Sequence, residues 1–561
     1  MYRIKFRLFW RYNRSVLKKF LLHPLLWIFL LALVLRFCQL STLPAGFHVD
    51  EVKIGWNAYS LWLTGRDDWW HAFPLHYDTF GDQRPTGIFY ASVPALAVFG
   101  LTQFAVRFTP ALFGSLAVIG LFFFVLALIG RRRIALLSAL LLAVSPWHIT
   151  LSRASSEGII AVTLVIFGLT YLIRLLNSPR LSDFLLSLTL LSTAFFFYHT
   201  SRLLVPVFVF ILICSRFFSV KKIRPLLPAL LIFIFTSLLT LGFALSPVAR
   251  GRLSQVSVFT DQDIKVELDR LPFEEGQNRV LLARTLHNKV VLYAARFVTE
   301  YSSYFGGKFF LAPWEAKPAR YQTVDRGLLL YIEFVLVALG LIYAAKHLRL
   351  RSPFLPLLLL LLVSPLPAAV TVEDAPNLHR ALFMSPFLSV LAGLGLYFAA
   401  RLKKSLLPAV LLLLCVDLFH YAHMYTVHNP VRDSLTLQRN VGAAELITAL
   451  SALSGQYQKI YLTNRPDNLY PWYAFLTRQD PRNFNPPLAA DKSRDWTFGR
   501  LVFSQYRCPS NFIADQNLKQ VLAVDAEGCP VPTKTQVIQS ITRTGGGHPY
   551  SLLILKSPSS K

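Results

Sequence analysis

Apolar runs of about 17 to 25 residues recur from Leu21 to Tyr421, each long enough to cross a bilayer as a helix. That repetition points to an all-α polytopic membrane domain, and the 54% hydrophobic content of the 561 residues agrees with it. The chain carries 57 Lys and Arg against 30 Asp and Glu, a formal net charge of +27. A surplus of this size can serve nucleic acid, but here the basic residues cluster in short loops between the runs, which reflects membrane orientation. No nucleic-acid partner is expected.

The first run, LLHPLLWIFLLALVLRFCQL, follows a leader containing Arg3, Lys5, Arg7, Arg11, Arg14, Lys18 and Lys19, which holds the N-terminus in the cytoplasm. A cleaved signal peptide is the competing reading. The run is long for one, and STLPAGF offers no clear small-residue cleavage site, so an uncleaved first helix is expected. Further inner loops are marked by Arg131 to Arg133, Arg174 to Arg180, Arg216 to Arg224 with Lys221 and Lys222, Lys346 to Arg351, and Arg401 to Lys404. Threading helices between them gives spans near 21–40, 108–130, 134–150, 158–175, 183–199, 203–219, 226–246, 327–345, 354–371, 381–400 and 405–422. That is about eleven, and an odd number places the C-terminus outside.

The organisation expected is a cytoplasmic basic leader 1–20, a membrane domain 21–422 with outer loops 41–107 and 247–326, and an extracytoplasmic tail 423–561. All the long hydrophilic segments fall on one side, so the working surface is the outer face of a plasma (inner) membrane. A polyprenyl-linked saccharide flippase or transporter is the alternative class. It would place ionisable residues near the bilayer midplane, where only Glu333 sits clearly within a span.

The tail reads as a small α/β domain. Val441, Leu446, Leu450 and Leu453 recur at roughly helical spacing, while KIYLT, RLVFS, VLAVDA and SLLILK read as short buried strands. Of the five cysteines, Cys38, Cys214 and Cys415 fall in spans. Cys508 and Cys529 fall in the tail, where an exported domain favours a disulfide over two separately buried thiols. No CxxC, HExxH or His-rich zinc spacing occurs.

The stretch FHVDEV places Asp50 and Glu51 just beyond the first span, in a segment dense with Trp56, Tyr59, Trp62, Trp69, Trp70 and Tyr77. An interfacial aromatic belt with two incidental acids would account for that stretch alone. The other outer turns, GDQRPTGIFY, SPWHITLSRASSEG, YHTSRLLVP, PARYQTVDRG and VEDAPNLHRAL, add polar groups that a chain packed only in lipid does not need. The order and spacing of RPTGIFY, FAVRFTPALFGSL, SPWHITLSR, SRLLVP and PNLHRALFMSP around the spans resemble the polyprenyl-phosphate-sugar glycosyltransferases of GT-C fold. The resemblance is to the branch of the protein O-mannosyltransferases and the aminoarabinose transferase of lipid A, and it covers nearly the whole chain. DDWW at Asp67 to Trp70 is not the WWDYG signature of oligosaccharyltransferases, since both its order and its place differ.

The resemblance implies a GT-C membrane domain that moves a sugar from a polyprenyl-phosphate donor to a protein, glycan or lipid hydroxyl. Its first catalytic acid falls on Asp50, and its second acidic position falls on Glu157, a Glu where some relatives have Asp. No cofactor is required by the residues, and a divalent metal stays open. Lipid phosphate is a good leaving group, so help is needed mainly by the acceptor hydroxyl, whose proton Asp50 is placed to take as general base. A single displacement inverts the anomeric centre, whereas retention needs a carboxylate nucleophile. Glu51 is expected to hold a neighbouring helix or an Arg. Cations for the departing phosphate are sought among Arg84, Arg153, Arg202, His379 and Arg380, with Arg380 favoured at the outer start of a span.

Overall fold

The computed structural model describes residues 23–79, 82–217, 226–246, 257–260, 262–275, 280–349, 352–463, 469–484 and 495–556. The basic leader, together with Lys221, Lys222, Arg224 and Arg351, lies outside the described residues. Each apolar run of the sequence falls on a helix. Among the described residues six helices are long and apolar enough to cross a membrane: Gln103–Ile129, Glu157–Asn177, His199–Phe217, Leu226–Leu245, Met384–Leu402 and Leu406–His428. A seventh arises if Arg132–Val144 and Pro146–Arg153, which meet at 54°, count as one broken span. Pro24–Phe37, Gly87–Phe99, Leu181–Ala194 and Phe354–Ala369 are apolar but shorter.

The broken span shows how the membrane domain satisfies its backbone. Pro146 has no N–H to give Leu142 O, and Trp147 N donates instead to Leu328 O, which leaves the carbonyls of Leu142 and Ala143 without helical partners. Arg36, fully buried, supplies both: Nη1 donates to Ala143 O at 3.0 Å and Nη2 to Leu142 O at 3.2 Å. A buried arginine here replaces two missing amide donors.

The segment 41–107 is more ordered than an outer loop. It contains the helices Val49–Thr64 and Gly87–Phe99 and a hairpin of β1 (His76–Thr79) and β2 (Asp82–Pro85), with Tyr77 opposite Arg84. His48 caps the first helix. Its Nδ1 accepts from Asp50 N at 3.1 Å, while Glu51 Oε2 accepts from His48 N at 3.2 Å, and Gly65 at φ 69° ends the helix.

The tail forms a six-stranded mixed sheet from β3 (Lys459–Thr463), β4 (Trp496–Phe498), β5 (Leu501–Ser504), β6 (Val521–Ala526), β7 (Thr535–Ile541) and β8 (Tyr550–Leu555), ordered β4-β5-β3-β6-β8-β7. Central β3 runs parallel to β5 and β6, with Ile460 opposite both Leu501 and Leu522. Its apolar run suits a strand covered on both faces. Cys508, just after β5, is bonded to Cys529, just after β6. The helix Tyr470–Leu476 then seats this domain on the Val49–Thr64 helix: Trp472 Nε1 donates to Phe47 O at 2.9 Å, and a Cβ on Gly55 would meet Phe475 at 2.5 Å.

Candidate active site

Asp50 and Glu51 sit in the first turn of the Val49–Thr64 helix, so their side chains diverge by the turn of a helix and meet different partners. Glu51 is buried. Arg107 grips it through Nε to Oε1 at 2.9 Å and Nη2 to Oε2 at 3.0 Å, and Arg439 donates Nη2 to Oε2 at 2.9 Å. A carboxylate fully used by two guanidiniums orients a helix; it is not free to take part in chemistry.

Asp50 faces a cavity of about 160 Å³ lined also by His48, Arg84, Glu157, Arg320, Tyr321, His379 and Arg380. Its Oδ2 lies 3.3 Å from Arg84 Nη1 and 3.3 Å from Arg320 Nη2. Burial disfavours the charge on Asp50, but Arg84, His48 and Arg320 outweigh it and hold the carboxyl well below the usual carboxylate range. His48 itself is lowered to about 3, first by burial and then by Arg320, so it stands neutral, with Nδ1 free to accept the helix amide.

Arg84 comes from β2 and Arg320 from the single turn Ala319–Tyr321. That turn is anchored on the loop before the helix Met384–Leu402, where Lys317 N donates to Pro376 O at 2.9 Å and Leu378 N donates to Lys317 O at 2.8 Å. Arginines from two further segments of the chain thus converge on the one carboxylate.

Of the remaining sequence candidates, the structure brings Glu157, His379 and Arg380 to the same cavity and holds Arg153 and Arg202 elsewhere. Glu157 opens the helix Glu157–Asn177. His379 bonds Ser156 Oγ through Nε2 at 2.7 Å and is lowered to about 3 by burial and then by Arg320 and Arg84, so it enters as a neutral ring. Arg380 is already paired, Nη2 to Glu373 Oε2 at 2.6 Å and Nη1 to Thr371 Oγ1 at 2.8 Å. It stands in the turns before the helix Met384–Leu402, so the helix N-terminus that the sequence suggested for it is several residues away.

Arg153 spends its guanidinium on Leu35 O, Cys38 O and Leu43 O, the carbonyls at the end of the first helix and just beyond it. Arg202 bonds Phe195 O at 3.0 Å, lies 3.0 Å from His76 Nε2, and stacks on Phe243. Neither lines the cavity, because loose carbonyls at helix breaks claim them first.

Arg320, Arg107, Arg439 and His48 were not singled out from the sequence. Arg320 stands in PARYQTVDRG and Arg107 in FAVRFTPALFGSL, and an arginine inside an apolar helix is itself a signal. Among the described residues no group of three His, Cys, Asp or Glu is placed to hold a metal ion.

The family model described as dolichyl-phosphate-mannose-protein mannosyltransferase matches residues 83–240, which include Arg84, Arg107 and Glu157. No curated protein matches the sequence. Among solved structures, ArnT from Cupriavidus metallidurans bound to undecaprenyl phosphate superposes with a TM-score of 0.53 at 12% identity, covering 94% of this chain and 97% of that one. The oligosaccharyltransferase AglB from Archaeoglobus fulgidus, in complex with an inhibitory peptide and a dolichol-phosphate, gives a TM-score of 0.49 at 13% identity, covering 90% of this chain and 69% of that one. Identity this low speaks for the fold alone. The partial family match and the likeness to ArnT along almost the whole chain make this a membrane protein of the GT-C glycosyltransferase fold.

Proposed function

We propose that the protein transfers a sugar from a polyprenyl-phosphate donor to an acceptor hydroxyl on the outer face of the plasma membrane, with inversion and with Asp50 as general base. The observation that carries this reading is the Asp50 carboxylate held between Arg84 and Arg320 on the wall of a cavity. That ArnT, of the same fold, was solved with undecaprenyl phosphate supports a lipid phosphate as the ligand.

On the cavity wall Arg84 and Arg320 both lie on Asp50, and their guanidiniums are the cations that a further anion would share. Both cations on Asp50 suppress its basicity. A lipid phosphate competes for the same two guanidiniums, and as they turn to it Asp50 regains proton affinity beside the acceptor. The hydroxyl oxygen then bonds to the anomeric carbon, the bond from that carbon to the phosphate oxygen breaks, and the proton passes to Asp50. The polyprenyl phosphate leaves with the electron pair into preorganised positive charge.

Asp50→Asn tests the assignment. It keeps size and most hydrogen bonding and removes the base, so kcat with a polyprenyl-phosphate sugar should fall by roughly 10²-fold or more while the lipid phosphate still binds. Parental turnover in the purified variant would show that the base is another residue.

A further inference from the structure

The C-terminal domain is expected to lie outside the bilayer, and nothing in the transfer chemistry itself calls for it. Its first residues nevertheless reach the cavity. Arg439, next after the helix Asp433–Gln438, has a buried guanidinium whose three nitrogens serve three parts of the chain. Nη2 donates to Glu51 Oε2 at 2.9 Å, Nε to Ala45 O at 2.9 Å, and Nη1 to Arg320 O at 3.0 Å.

Glu51 belongs to the helix turn that carries Asp50, and the Arg320 carbonyl belongs to the residue whose own guanidinium lies on Asp50. The neighbour Asn440, at φ 55°, accepts from Val49 N through Oδ1 at 3.1 Å. On the other side Gly46 is packed so closely that a Cβ there would meet Arg439 O at 2.4 Å. The domain therefore fastens the turn bearing the base to the turn bearing a phosphate cation, at a separation that sets the 3.3 Å contact between them.

We infer that the C-terminal domain is a working part of the cavity, and that Arg439 is a positioning residue which, through the Arg320 carbonyl and Glu51, holds Arg320 in register with Asp50 to receive the lipid phosphate. The inference rests on the reading of the cavity as a lipid-phosphate site. A planar guanidinium is required because one ammonium cannot donate to a carboxylate and two diverging carbonyls at once.

The test is a double-mutant cycle on the full-length protein in detergent, read as the Kd of undecaprenyl phosphate, with the folded fraction measured for every variant. Arg320→Gln should weaken binding by about tenfold, and Arg439→Gln by a comparable factor. The double variant should be no weaker than Arg320→Gln alone, since Arg439 acts through Arg320. Arg439→Lys keeps a charge for Glu51 and so preserves folding where Arg439→Gln fails, yet it should still weaken binding by about threefold or more. Parental Kd in folded Arg439→Gln and Arg439→Lys, or losses that multiply in the double variant, overturns the inference while leaving the cavity assignment standing. If Arg84→Gln and Arg320→Gln themselves leave Kd unchanged, the cavity is not the phosphate site, and the inference falls with that reading.

Discussion

Asp50 and Glu51 are adjacent acids with opposite fates, and the cause is who reaches them. Glu51 is sealed by Arg107 and Arg439, whereas Asp50 shares its cations with an open cavity. The motif DE marks both residues, but only the packing separates an orienting carboxylate from a candidate base. His48 and His379 have fates of their own, since both are held neutral down to about 3 against an ordinary value of 6.5. The unfolded chain takes up their protons first as pH falls below 6.5, so the stability they contribute is intact above that value and is lost progressively toward pH 3. Asp50, whose pKa is depressed, loses its share only below the ordinary carboxylate value of 3.8. The thermal midpoint should therefore fall between pH 7 and pH 5 in the parent. His48→Asn, which keeps an N-cap acceptor and removes the titration, should flatten that slope, and an unchanged slope would exclude His48 as a source.

The element least legible in the sequence is the Val49–Thr64 helix. It is buried on nearly every side, from Glu51 to Ala58 without a break, so it shows no single apolar stripe and reads as an aromatic-rich loop. Its neighbours on the C-terminal domain, Trp472 and Phe475, lie more than 400 residues away in the chain, and no local pattern announces them. The apolar helices, by contrast, were legible because hydrocarbon demands long apolar helices whatever their partners, although among the described residues six or seven, rather than about eleven, are long and apolar enough to span. Strands β3, β5, β6 and β8 were legible as short apolar runs, while β7, mostly exposed at the sheet edge, was not. In the same domain the bond between Cys508 and Cys529 spans 21 residues of sequence. Closing such a loop contributes about 3 kcal/mol in the chain-entropy model. Cys508→Ala with Cys529→Ala should lower the stability of the domain by about that amount in chemical denaturation. A loss under about 0.5 kcal/mol would mean that the sheet core suffices without the crosslink.

At the scale of the whole molecule, the arrangement makes sense if the cavity and the C-terminal sheet share one side of the bilayer and Arg131 to Arg133 face the other. An introduced thiol replacing Ser454 should react with an impermeant reagent in intact cells, and one replacing Arg132 should not. The reverse pattern would turn the molecule over and remove the outer-face assignment. The cavity is built from segments scattered along the chain: the first helix turn with Asp50, the hairpin with Arg84, the turn with Arg320, and the tail with Arg439. Motif order along the sequence located most of these segments and favoured Arg380 among its candidates, but it could not show that Glu373 holds Arg380 or that Arg320 reaches Asp50. The most direct measurement is a structure of the full-length protein with undecaprenyl phosphate bound. The phosphate should lie between Arg84 and Arg320, with both guanidiniums turned from Asp50 toward its oxygens and the Asp50 carboxylate facing the cavity. A phosphate bound away from those two arginines, with the contacts of Asp50 to Arg84 and Arg320 undisturbed, would contradict it.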